Sequence, residues 1–231
     1  MESKIQESIH KLERKFGRLR LTLAILLIGL VIDGTVESYN AINHTYPLPF
    51  ASSVFIIGPF VTLTGLAILW IGRSEWDEHT SRRFRLAERA FGLSLIAIVL
   101  AGLTVLYYGL RPATTIPSFV EWEFGAAIVA ILVLNFVIYA LVAFDLTEVF
   151  GKVLLLIALA WAGVVSIFLG QALAKQLGTI VLAIQEHTFN FRPVSSSVSG
   201  IESYLVVAHI LLTIVYLDAY RRSGARATKA A

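Results

Sequence analysis

The chain has 231 residues, of which 57% are apolar and 15% charged, with a net charge of +3 and no cysteine. Its mean hydropathy of +0.75 leaves too little polar surface to cover a water-soluble globule. The missing thiols exclude disulfides, Fe–S clusters, thiolate-held metals and cysteine nucleophiles from this chain.

Residues 1–18 form a charged arm in which Ile5, Ile9, Leu12 and Phe16 recur at helical spacing. The pattern predicts an amphipathic juxtamembrane helix in the headgroup plane. Six apolar stretches follow, at 19–36, 50–72, 90–110, 119–146, 149–173 and 201–220. Each is near or above the ~20 residues a helix needs to cross the hydrocarbon core. Period-two alternation is lacking, which sets aside a β-barrel, so the expected fold is all-α, a bundle of six transmembrane helices. The first stretch is expected to stay as an anchor, because its leading arm carries Glu2, Glu7 and Glu13 and no small-residue cleavage pattern follows.

The connections alternate in character. The first holds Pro47 and Pro49 and reads as an extended outer loop, while the second, residues 73–89, is mixed in charge and suits a cytoplasmic helix. Pro112 and Pro117 break the third, and the fourth is so short that spans four and five should form a tight antiparallel hairpin. After span five, Leu177, Ile180, Val181 and Ile184 keep helical spacing, as either an outer extension of that span or an interfacial helix. Residues 190–200 are expected to loop back into the last span, and 221–231 to form a basic tail.

Of the 19 Lys and Arg, 16 fall in or within four residues of the N-terminal arm, the second and fourth connections and the C-terminal tail. That asymmetry places both termini in the cytoplasm, in the cell membrane as the expected location. The partners it implies are the bilayer, anionic headgroups at the basic face, and a second copy or other membrane subunits. A basic rim of this kind is not a nucleic-acid footprint.

Small residues recur every seven positions: Ala51, Gly58, Gly65 and Gly72, then Gly102 with Gly109 and Gly163 with Gly170. They predict close helix crossings, where dispersion replaces the hydrophobic effect that lipid cannot supply.

Polar groups inside the apolar stretches carry the functional signal, because a charged side chain at the bilayer centre costs roughly 2.5–3.5 kcal/mol on insertion scales. Asp33 and Glu37 share one face of span one, and His209 lies at matching depth in span six, ~10 Å inside the outer boundary. Pro59 in span two falls near the same level, where it should free the Phe55 carbonyl or kink the helix. These four are the candidates for a transport or proton site, with Asp33 and His209 as the expected proton-exchanging pair and a fixed Asp–His or Asp–Tyr hydrogen bond as the structural alternative. His44, Glu121, Glu123, Gln171, Lys175, His187 and Glu202 are the candidates for an acidic outer mouth. Asn135 reads as an interhelical tie, and Asp145 and Asp218 as inner-end ion pairs.

Three function classes fit this pattern. A small-solute or cation transporter with a titratable outer-leaflet site ranks first. A non-catalytic or redox-associated subunit ranks second, although bis-histidine haem is disfavoured because only His209 lies well within a span. A membrane-embedded enzyme ranks third, since the chain holds no metal or nucleophile motif of recognisable spacing.

Overall fold

The computed structural model describes residues 2–43, 57–71, 78–111, 115–188 and 192–230, and every element among them is helical. The helices are α1 (Glu2–Asn43), α2 (Gly58–Ile71), α3 (Glu78–Gly109), α4 (Ser118–Ala143), α5 (Val149–Gln185) and α6 (Arg192–Ala230). Five contain stretches long and apolar enough to cross a membrane: Gly17–Tyr39, Arg82–Gly109, Ser118–Ala143, Val149–Gln185 and Gly200–Ser223. The described part of the second apolar stretch, α2, has 14 residues, and residues 50–56 and 72 lie outside the described segments.

Burial explains why these residues choose helices and lipid. On α1 the buried positions Leu19, Thr22, Leu23, Leu26, Leu30, Asp33 and Glu37 recur every three or four residues. Leu21, Ile28 and Val31 project outward instead. On α3 the outward stripe is Leu93, Ile96, Leu100 and Leu103, while Ser94 points inward. An apolar exterior around an interior that holds the polar side chains is the pattern of a helical membrane protein, and its outer leucines would be a liability in water.

Each helix packs against its neighbours in chain order, and α1 closes on α6, so the six form a ring. The longest contact is α1 on α6, antiparallel, with Arg20 over the Tyr220 ring at one end and Gly34 against His209 further along. Both termini therefore lie at one end of the bundle. At that end Arg83 of α3 pairs with Asp145, and Arg222 of α6 pairs with Glu148 and Asp218, so the short α4–α5 connection is clamped from both sides. Lys152 lies over the Phe144 ring rather than beside an acid.

Several boundaries differ from the sequence expectation. The N-terminal arm is continuous with the first span: no proline falls between Glu2 and Asn43, and Gly17 at the junction is itself helical. Residues 192–200 are helical rather than a loop. Pro193 falls in the first turn, where its missing N–H costs nothing, and Val194 and Val198 continue the buried stripe of α6. Pro59 is the second residue of α2, and the segment before Ile57, where a kink would show, lies outside the described residues. Phe55, whose carbonyl it was expected to free, lies outside the described residues.

Span five runs unbroken to Gln185, which makes residues 174–185 a helical extension. It stops in a Schellman motif: Thr188 N–H donates to Ala183 O at 3.1 Å and His187 N–H to Ile184 O at 3.1 Å, with His187 left-handed at φ 53°. A non-glycine residue in that region is strained by roughly 1–2 kcal/mol. His187→Gly is accordingly expected to stabilise the detergent-solubilised protein by about 1 kcal/mol, read as a raised thermal midpoint, and an unchanged or lowered midpoint would contradict it.

Candidate functional site

The ring brings Asp33 and Glu37 of α1 against His209 of α6, all three buried. Gly34 makes this possible: a Cβ there would lie 3.3 Å from His209 Cβ, so the bare backbone lets α1 close onto α6 at this level. Glu37 Oε2 lies 2.8 Å from His209 Nδ1. Asp33, the partner expected for His209, is close enough for its charge to act on both.

Nδ1 also faces the Leu205 carbonyl at 3.2 Å. Two oxygens converge on this nitrogen, and a lone pair there would be repelled by both, so Nδ1 carries hydrogen and Nε2 is the nitrogen that gains or loses a proton. At 2.8 Å the Glu37 oxygen is in direct contact with Nδ1, so the two groups form a buried acid–imidazole pair. The imidazole packs at a tilt on Phe136, 5.0 Å between ring centres.

Between these groups lies a small cavity of about 20 Å³, lined by Asp33, Glu37, Pro59, Ser94, Asn135 and His209 among others. Five of the six helices contribute to its wall, and α5 does not. Its volume holds about one water molecule. Toward the termini the polar lining gives way. Asn135 Oδ1 accepts from Thr62 at 3.4 Å, which is the interhelical tie expected of it, and Tyr216 donates to the Tyr139 carbonyl at 2.8 Å. On its lipid side His209 also borders a groove of about 370 Å³ between α1 and α6, with Thr35, Ser38, Val206 and Ile210 in its wall. Both of those hydroxyls donate to carbonyls of their own helix, at 2.6 Å each.

The mouth candidates part company. Glu123, Gln171, Lys175 and His187 are exposed and Glu121 is half-buried, on α4 and α5, and none of them lines the cavity. His44 lies outside the described residues. Glu202 alone is buried, at 3% exposure, with Oε1 lacking a hydrogen-bond partner. It stands close enough to Glu37 for the two charges to repel. Sequence reasoning missed Ser94, Thr62, Tyr139 and Tyr216, since an uncharged polar residue in an apolar run costs too little to draw notice. Among the described residues no three His, Asp or Glu side chains are placed to hold a metal ion together.

No family model, curated protein or solved structure matches this chain.

Proposed function

We propose that this multi-pass membrane protein is a proton-coupled transporter or channel for protons or a small monovalent cation, centred on Glu37, His209 and Asp33. In this reading the chain crosses the cell membrane six times with both termini in the cytoplasm, and its basic rim meets anionic headgroups there. The observation that carries the reading is a charge imbalance: three buried carboxyl groups, Asp33, Glu37 and Glu202, share the interior with one imidazole. Glu202 leaves an oxygen without a hydrogen bond. Carboxylates in that setting require a counter-charge, and a site with room for about one water admits a proton or a small desolvated cation and little else.

The test is flux into proteoliposomes under an imposed pH gradient, followed with a trapped pH dye. Wild-type flux is expected to vary with pH as the buried acid–imidazole pair gains and loses its proton. Glu37→Gln is expected to lower it by about a hundredfold and Asp33→Asn to remove its pH dependence, with both variants folded. Wild-type flux no faster than that of empty liposomes, or Glu37→Gln flux equal to wild type, would sink the reading.

A further inference from the structure

Among the described residues, the buried carboxyl groups lie at the site or on one side of it only. Glu202 is seven residues before His209 on α6, which is two helical turns and ~10 Å toward the end opposite the termini, on the same face. It is 97% withdrawn from the surface, faces Glu37, and has an orphan oxygen. A carboxyl group used only to hold helices together would have that oxygen satisfied. Among the described residues the other charged side chains toward this end, Lys175 of α5, Glu186 and His187 just beyond it, Glu121 and Glu123 of α4 and Arg111 just beyond α3, are exposed or half-buried, and none of them is a buried counter-charge for Glu202.

Toward the termini the arrangement is the opposite. Below Asp33 the interior is closed by Leu23, Leu26, Leu66, Leu69, Val142 and Val215, each no more than 4% exposed. The Tyr139 and Tyr216 rings, edge to face at 5.8 Å, complete the seal. Among the described residues no carboxylate, imidazole or amine is buried between the site and the Arg20–Tyr220 level. Leucine and valine side chains offer a proton neither donor nor acceptor, and the polar groups set among them, the hydroxyls of Thr22, Thr62, Tyr139 and Tyr216, are uncharged.

We propose that Glu202 is the portal through which protons reach the Glu37–His209 centre, and that this centre exchanges protons with the face opposite the termini and not with the face that carries them. The proton passes from bulk water to the Glu202 carboxylate and from there, directly or over one water, to the Glu37 carboxylate. Handing it on leaves Glu202 ionised again, ready to take the next proton from water. The inference rests on the proton-site reading above and adds a route and a direction to it.

The test reads protonation rather than transport. Proteoliposomes sorted by orientation, with the membrane potential clamped, receive a pH jump on one face, and the carboxyl infrared band is followed in time. In wild type the band is expected to respond promptly to a jump on the face opposite the termini and slowly to one on the terminal face. Glu202→Gln should slow the first response by about a hundredfold, the low end of what a positioned proton-transfer group supplies, and Glu202→Asp should restore most of it. Equal response from the two faces in wild type overturns the proposal without any variant. An unslowed Glu202→Gln protein assigns that residue a purely structural role and overturns it as well. One-sided protonation in a protein that carries no flux would leave this inference standing while removing the transport reading.

Discussion

Replacing His209 with leucine is expected to cost the folded protein about 3 kcal/mol or more at neutral pH, and adding Glu37→Gln in the same chain to restore most of that loss. The imidazole and the Glu37 carboxylate are each only 6% exposed and 2.8 Å apart. Removing one member of a buried pair strands the other charge, a loss of roughly 3–5 kcal/mol where it has been measured. Removing both leaves a neutral amide and an aliphatic side chain, with nothing charged to solvate. The penalty on His209→Leu alone should shrink as the buffer is acidified, because a proton bound to Glu37 then supplies the neutralisation that the imidazole gave. Denaturation midpoints of the detergent-solubilised wild type, both single variants and the double variant measure the coupling directly. Losses that simply add would show that the two groups do not act as a pair, and the proton site would lose its foundation.

The second large effect is expected where α4 and α5 cross. A Cβ at Gly125 would lie 2.8 Å from the Gly170 carbonyl oxygen and 2.9 Å from Ala174 Cβ, and one at Gly170 would overlap Val129 Cγ2. The obstacle at Gly125 is backbone, which cannot step aside as the end of a long side chain can. Gly170→Leu therefore has to push the helices apart along their shared face, at a cost of about 3 kcal/mol, the upper end of the usual overpacking range. Gly163→Ala, one heptad away on the same helix, meets open space. It is expected to be neutral, or stabilising by up to about 1 kcal/mol through helix propensity. The contrast in thermal midpoint between these two variants checks the packing, and a Gly170→Leu protein as stable as wild type would place the α4–α5 crossing elsewhere.

Those two glycines also mark where sequence reading reaches its limit. Gly163 and Gly170 belong to one seven-residue spacing, as Gly102 and Gly109 do, yet only Gly170 and Gly109 abut another helix, while Gly102 and Gly163 face open space. Gly125, which the spacing did not single out, makes the closest backbone approach. Spacing says that small residues share a helix face; which way that face points depends on where the neighbouring helices sit.

The candidate site follows the same division. Asp33, Glu37 and His209 were legible because an ionisable group in an apolar run is expensive, and rise per residue set them at one depth. The 2.8 Å approach of Glu37 to His209 depends on helix rotation and on the close contact at Gly34, neither of which is written in either segment alone. Glu202 read as a mouth residue because it opens the last apolar stretch. It is buried because α6 begins ten residues earlier, at Arg192, and carries its buried stripe past it.

The solvent and the fold class are properties of local composition: long apolar segments must satisfy their own backbone hydrogen bonds in lipid, and helices are the form that does so one segment at a time. Thus the amino-acid order alone determined an all-helical membrane bundle, the depth of its polar residues and the asymmetry of its basic ends. The ring order, the Glu37–His209 contact, the cavity shared by five helices and the apolar seal beneath it were decided by tertiary structure. Each of these requires two or more helices to meet at one rotation and one height, and in a uniform hydrocarbon solvent that meeting depends on shape and on a few polar contacts rather than on hydrophobicity.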